Sequence, residues 1–372
     1  MKISAIELHR IGMPLVRPFV TSFGRQTERD MLLVHVITDV GDGWGECVAG
    51  SAPVYSAEYV DGAEAVIRDY LAPALLAEEV VEAWDVARVT KFVVGHRMAK
   101  AALEMAVLDA QLRSTGESFA SYFGATRTVV DCGVSVGIAP SIPELLDEVQ
   151  GYVDAGYKRI KLKVKPGWDL EPIAAVRELI GPDMLLQVDA NTAYTSYDVQ
   201  HLLNFDDYGL LLLEQPFVEE DIALHVLLAA AIRTPVCLDE SIVSVEVAVD
   251  AIQRGATSVI NIKAGRIGGY LEAVRLHDVC QALHVAVWCG GMLESGLGRA
   301  ANVALAALPW FTLPGDTSAS ARYFAEDITE PFVLHDGQLT VPTAPGTGVD
   351  VRIELVREWA LREPLTLTAA AV

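Results

Sequence analysis

Lys163, Asp189, Glu214, Asp239 and Lys263 recur about every 25 residues, close to one strand-helix unit of an eightfold barrel of ~250 residues. Three carboxylates between two lysines, each from a different strand end of one ring, would form an oxygen site for a hard cation with a base on either side. Each acid directly follows an apolar run: Leu185-Leu186-Gln187-Val188-Asp189, Leu211-Leu212-Leu213-Glu214 and Pro235-Val236-Cys237-Leu238-Asp239. One strand-end acid is equally well explained as the N-cap of the following helix. Three at the same position of adjacent strands would repel unless a cation joined them, and Mg²⁺ or a close substitute fits such ligands.

The lysines have their own logic. In Lys158-Arg159-Ile160-Lys161-Leu162-Lys163-Val164-Lys165, Lys161, Lys163 and Lys165 alternate with apolar residues and share one strand face. An exposed edge strand protected by charge would look the same, but a barrel has no edge. Two neighbouring ammonium groups lower each other's pKa, so one can act as a neutral base near pH 7. Lys263 ends the sixth apolar run and Lys163 the second, and those strands are opposite in a ring of eight. The two lysines can then address opposite faces of one carbon, the geometry of racemisation.

The elements that must hold these groups divide into two parts. From about residue 130, short β-rich runs alternate with helical segments at 132–137, 160–164, 185–189, 210–214, 236–239, 259–263, 285–289 and 311–315. Eight such units argue for a parallel sheet closed into a barrel. Residues 1–125 read as α+β, with strands at 1–10 and 31–38, helical spacing over 57–76 and 95–112, and loops at 21–26 and 41–46 that are candidates for a lid. After a barrel spanning 126–320, residues 331–334 and 338–341 look like strands within a segment, 321–372, that returns to the first part.

Composition narrows the function classes. With 372 residues, 52% of them hydrophobic, the chain can bury a large core, and its net charge of −22 argues against nucleic-acid binding, which needs a basic surface. The longest apolar stretch, 300–313, is interrupted by Asn302, Pro309 and Thr312 and is too short for a bilayer, so no membrane span is expected. Glu7, His9 and Arg10 stand where a signal peptide would be apolar, and five cysteines without a C-x-x-C pair suit a reducing cytosol. Residues 265–269 read as a strand-to-helix turn rather than a phosphate loop, and the adjacent His277 and Asp278 as surface residues. The other histidines show no metal-ligand spacing. Gly290 and Gly291 either let a ligand approach the backbone or make a tight turn, and Trp288 and Met292 read as core.

Taken together, Arg159-Ile160-Lys161-Leu162-Lys163, Gln187-Val188-Asp189-Ala190-Asn191, Glu214-Gln215-Pro216, Leu238-Asp239-Glu240-Ser241, Asn261-Ile262-Lys263 and Trp288-Cys289-Gly290-Gly291-Met292-Leu293-Glu294 carry a family resemblance. The chain resembles the enolase superfamily, muconate-lactonizing-enzyme-like subgroup, and within it the N-acylamino acid racemases that also act as o-succinylbenzoate synthases. The resemblance implies a modified TIM barrel, (β/α)7β, under an α+β capping domain. It implies a divalent cation, Mg²⁺ or another such as Mn²⁺ or Co²⁺, on Asp189, Glu214 and Asp239. It gives Lys163 and Lys263 the acid and base roles, with Lys161 supporting Lys163. It places Phe19, Phe23, Tyr55, Ser135, Asn191, Gly291 and Met292 around a small-molecule carboxylate substrate. The implied chemistry is removal of the proton next to the carboxylate through an enediolate. A cytoplasmic homo-oligomer is the default for such enzymes. A dipeptide epimerase would carry an Asp-x-Asp pair after the last strand, where Asp316-Thr317-Ser318 has one acid. A muconate-type cycloisomerase would differ in lid and pocket shape, and a non-catalytic metal-binding barrel would bind metal without exchanging substrate α-protons.

Overall fold

The computed structural model describes residues 1–369, so the last three residues of the expected returning segment lie outside the described residues. The chain opens with three antiparallel strands, β1 (Ile3–Thr21), β2 (Gly24–Thr38) and β3 (Gly41–Cys47). Ile6, Leu8, Val34 and Val36 are buried on one face of this sheet, the period-2 pattern legible in the sequence. The helix Arg97–Thr115 packs on β3, where Gly43 and Gly45 have no side chain because a Cβ would overlap the backbone at Ala110 and Ala102.

The β1–β2 hairpin is longer than the alternation at its start suggests. Phe19 pairs with Gln26 and Val20 with Arg25, so only Ser22 and Phe23 form the turn in the expected 21–26 loop. This tip leans on the barrel, where the Ser22 hydroxyl donates to the Asn191 carbonyl at 3.1 Å and the Ile138 amide to the Val20 carbonyl at 2.9 Å. The helical run expected over 57–76 starts at Val60 and passes through a π-helical turn, Ile67–Leu71, just before Pro73, which has no N–H to continue a regular ladder.

After a short β4 (Val129–Asp131), seven parallel strands form one sheet in chain order: β5 (Gly133–Val136), β6 (Arg159–Lys163), β7 (Leu185–Asp189), β8 (Leu213–Glu214), β9 (Val236–Leu238), β10 (Val259–Ile262) and β11 (Ala286–Cys289). The eighth run forms no regular strand. Phe311 bridges to Val287 on one side and Gly315 to Cys132 on the other, closing the ring through single contacts, as fits a segment whose Pro314 lacks a ladder donor. Ile160, Leu162, Leu186 and Val188 are buried apolar residues of these strands, while Lys161, Lys163, Gln187 and Asp189 alternate with them.

Two expectations for the tail are corrected. Residues 331–334 form no strand; the Phe332 amide donates to the Ser320 hydroxyl and its carbonyl accepts from the Ser320 amide, so this stretch is held by a loop and has no ladder. Residues of the second run form β12 (Gln338–Thr340), which pairs with β4 rather than with the cap. The return to the cap is made by β13 (Leu365–Thr368), antiparallel to β1.

Buried carboxylates stitch the two parts together at helix N-termini, where free amides need acceptors. Glu46 of β3 accepts from the amides of Ser295 and Gly298 at 3.1 Å each, at the start of the helix Gly296–Ala306. Glu104 accepts from the Leu271 amide at 3.0 Å, at the start of the helix Tyr270–Ala282. Burial pushes Glu46 up to about 7 and Glu104 up to about 8.

Two readings of histidines also change. His277 is buried, stacked on Phe311 and accepting from the Trp310 amide at 3.1 Å, with Nδ1 on Asp278, so it is not a surface residue. The β1–β2 register brings Glu7 opposite His35, and with His9 they form a cluster with ligand spacing that the 26-residue gap between the histidines hides. Asp42 takes the far nitrogen of His35 at 2.6 Å.

Candidate active site

The strand register sets the floor of the site. Lys163 of β6 is the direct neighbour of Asp189 on β7, and Asp189 that of Glu214 on β8. Lys163 Nζ donates to Asp189 Oδ2 at 2.6 Å and to Asn191 Oδ1 at 2.7 Å. Lys161, two residues back on the same face, reaches Asp316 Oδ2 at 2.6 Å and both Asp189 and Glu214 at 3.3 Å, above the ring of Trp288. Glu214 also accepts from Gln187 at 3.2 Å and Asn261 at 2.7 Å. Across the ring Lys263, just past β10, donates to Asp239 at 2.8 Å and to the Tyr55 hydroxyl at 2.9 Å. Arg266, in the turn after it, is paired with the other oxygen of Asp239.

These neighbours make the lysines unequal. Burial, with Lys161 close by, holds Lys163 below the ordinary lysine range despite Asp189. Burial works in the same direction on Lys263, but Tyr55, Glu240 and Glu214 outweigh it and hold that lysine above its ordinary range. Lys161 is likewise raised, since Asp316, Glu214 and Asp189 overcome its burial. Asp189 is drawn down to about 2, its burial reversed by Lys163 and Lys161, whereas burial and the Asp189 charge raise Glu214. The two lysines thus differ in proton affinity, Lys163 holding its proton less tightly than Lys263.

Asp189, Glu214 and Asp239 suit a divalent cation by donor chemistry. All three are buried, all offer carboxylate oxygens from adjacent strand ends, and no sulfur or imidazole stands among them. Beside them, Glu240 Oε2 and Asn261 Oδ1 are buried oxygens without a hydrogen-bond partner, and burial with Asp189 nearby pushes Glu240 up to about 7. Such uncompensated acceptors are what an electropositive ligand would satisfy.

Above this floor lies a cavity of ≈ 300 Å³. Lys161, Lys163 and Lys263 line it, as do all seven residues expected around the substrate: Phe19 and Phe23 from the hairpin, Tyr55 from the loop after β3, Ser135 from β5, and Asn191, Gly291 and Met292 from barrel loops. Phe23 packs near Tyr55 with ring centres 6.1 Å apart. Gly290 and Gly291 serve close packing, since a Cβ would strike Asn261 at the first and the Asp316 carbonyl at the second. Arg25 and Gln26 of the expected 21–26 lid loop also line the cavity, whereas Arg29 and Tyr323 in the wall and Arg266 beneath it carried no signal in the sequence. The sequence reading missed the task of Asp316, which accepts from both terminal nitrogens of buried Arg159 at 2.9 Å and so holds Lys161 in place.

Residues 144–355 match the model of enolase C-terminal domain-like proteins, and residues 5–124 that of the mandelate racemase / muconate lactonizing enzyme N-terminal domain. The chain belongs to the enolase superfamily. Among its relatives in the superfamily, an N-succinylamino acid racemase from an Amycolatopsis species is 61% identical over 96% of this chain and 97% of the relative. An o-succinylbenzoate synthase from Geobacillus stearothermophilus is 44% identical over 94% of both chains. A solved enolase superfamily structure from Listeria innocua superposes with a TM-score of 0.95, covering 99% of this chain and 100% of the other at 37% identity.

Proposed function

We propose that this chain racemises N-succinylamino acids and related N-acylamino acids, and that it also dehydrates the cyclohexadiene precursor of o-succinylbenzoate. The observation that carries the reading is the placement of Lys163 and Lys263 on opposite strands of one ring, facing one cavity above three strand-end carboxylates. The names of the relatives support both reactions.

Asp189, Glu214 and Asp239 would hold Mg²⁺, or Mn²⁺ or Co²⁺ in its place. A cation there supplies positive charge beside the substrate carboxylate, whose α-proton is otherwise too weakly acidic to remove. Lys163 takes that proton at Nζ, leaving its electron pair in the enediolate, and Lys263 delivers a proton from Nζ to the opposite face. The reverse direction exchanges the roles. In the dehydration Lys163 takes the proton, hydroxide leaves, and Lys263 remains a cation near the enolate. The charge of Lys161 adds to burial in lowering the proton affinity of Lys163. Tyr55, Phe19, Phe23 and Met292 cover the substrate, with Ser135, Asn191 and Gly291 on the barrel side. A dipeptide epimerase is disfavoured because the acid it would use for a free ammonium, Asp316, is occupied by Arg159 and Lys161.

The same reading assigns residues 1–125 to a cap, 126–320 to the catalytic barrel and 321–372 to a returning segment. It places the protein in the cytoplasm as a homo-oligomer, its dehydration step serving menaquinone biosynthesis. The five cysteines are free, which suits a reducing compartment; among the described residues no helix is long and apolar enough to cross a membrane.

The test is incubation with Mg²⁺ or Mn²⁺ in D₂O with N-succinyl and N-acetyl amino acids, dipeptides, muconate and the cyclohexadiene precursor. The expected result is α-deuteration with inversion of the N-acylamino acids and dehydration of the precursor. Turnover of neither, or of dipeptides or muconate alone, would sink the proposal.

A further inference from the structure

Arg29 is the one buried cation of the cavity wall without an anion among the described residues. Lys161, Lys163 and Lys263 line the same cavity, and each touches at least one carboxylate. Arg29, on β2, is 2% exposed and, among the described residues, makes no ion pair. Its Nη2 donates to the Val48 carbonyl at 3.3 Å, and its Nε is buried with no hydrogen-bond partner. The carboxylates that act on it from a distance, Glu46, Glu294 and Asp30, have other duties, Asp30 being paired with Arg10. Glu46 accepts from Ser295 and Gly298, and Glu294 from the Met292 amide at 2.8 Å and Asn302 at 3.0 Å.

A guanidinium removed from water without a counter-anion is costly and is rarely kept where packing alone is at stake. Arginine is also the side chain best shaped to take a carboxylate, through two parallel N–H donors. The carboxylate beside the α-carbon belongs at the barrel floor, so an anion at the cap wall must come from another part of the ligand. A succinyl arm ends in such a group, and an acetyl arm does not.

We propose that Arg29 anchors a second substrate carboxylate, the free end of a succinyl arm, and so sets the preference of this site for dianionic over monoanionic N-acylamino acids. The inference rests on the proposed racemase reading and adds to it a binding residue and a reason for acyl selectivity. Arg29 makes no contact with the reacting carbon; its part is to bring the substrate down onto the lysines.

The experiment compares kcat and KM for one amino acid carrying either an N-succinyl group or an N-pentanoyl group, an uncharged arm of the same length, on the wild type, Arg29→Met and Arg29→Lys. The wild type should prefer the succinyl form. In Arg29→Met that preference should fall about 10- to 100-fold, the usual worth of a charge-assisted hydrogen bond, with most of the change in KM. Arg29→Lys should recover part of it. The melting temperature of ligand-free Arg29→Met should not fall, because an unpaired buried charge has been replaced by an apolar chain of similar volume. Equal losses on both substrates, a lowered melting temperature in both variants, failure of both to fold, or unchanged selectivity would each overturn the anchor. Turnover of neither N-acylamino acid by the wild type would instead overturn the racemase reading itself.

Discussion

The barrel lysines that face the cavity each touch a carboxylate, whereas the cap contributes Arg29, which touches none among the described residues. The barrel groups also neighbour one another directly in the strand register, Lys163 beside Asp189 and Asp189 beside Glu214. Cap groups come from a hairpin tip, a strand interior and a loop, with no common spacing. The difference separates two tasks. A closed ring of parallel strands fixes charges against each other and suits chemistry common to many substrates, while irregular segments laid over it can be matched to one substrate.

The contrast can be tested from its strongest point downward. Lys163→Ala and Lys263→Ala should each lower racemisation by about 10²- to 10⁴-fold, the range for loss of a general acid or base, while titration of Mn²⁺ binding stays close to wild type. Near-normal racemisation by either variant would show that the two strands do not share the chemistry. Chelation should remove both activities and leave the circular dichroism of the folded chain unchanged, with Mg²⁺ or Mn²⁺ restoring turnover; loss of the fold would make the acids structural.

Two smaller effects belong to the cap. Gly45→Val should cost about 3 kcal/mol in denaturant unfolding, because the helix Arg97–Thr115 lies directly on that backbone and cannot give way. Tyr55→Phe removes a hydroxyl that accepts from Lys263 at 2.9 Å and donates to Asp239 at 3.3 Å, and should lower kcat/KM by about 10-fold with no change in Mn²⁺ affinity. The smallest effect concerns the seam. Glu46 is raised by burial from the ordinary 4.5 to about 7, so over that interval the folded state holds a proton that the unfolded chain has released. Stability therefore falls as pH rises from 4.5 to 7, and Glu46→Gln should flatten that part of a melting-temperature profile. An unchanged slope would mean that Glu46 is charged throughout.

Most of the barrel arrangement was legible in the sequence because chain distance translates into angular position when one strand-helix unit repeats. The same property made the acids' common depth readable, since each ends an apolar run. The eighth strand was legible only as a run, because Pro314 leaves it to close the ring through isolated bridges at Phe311 and Gly315 and the Asp316 amide on the Cys289 carbonyl. Residues 331–334 mislead for the opposite reason, having strand-like apolarity but backbone bonds to Ser320 in place of a strand partner. Phe19, Phe23 and Tyr55 came from family resemblance and not from any pattern of their own. Arg29 could not be found in this way at all. Within Arg25-Gln26-Thr27-Glu28-Arg29-Asp30 it reads as one more polar residue of a solvated strand, and only the folded structure shows it buried at the cavity wall. Arg266 is hidden by its glycine-rich turn, though its place three residues after Lys263 puts it within reach of the same carboxylate.

The pairing of β13 with β1 bears on how the chain matures. Strand β1 has β2 on one edge and residues Leu365–Thr368 on the other, with Ala5 opposite Thr368 and Leu8 opposite Leu365. On a ribosome the first strand to emerge must wait for nearly the last before its sheet is complete. The barrel, built from neighbours in sequence, can form during that wait. The hairpin that covers the cavity is carried by β1 and β2, so the last strand of the sheet braces the roof of the cavity from its far edge.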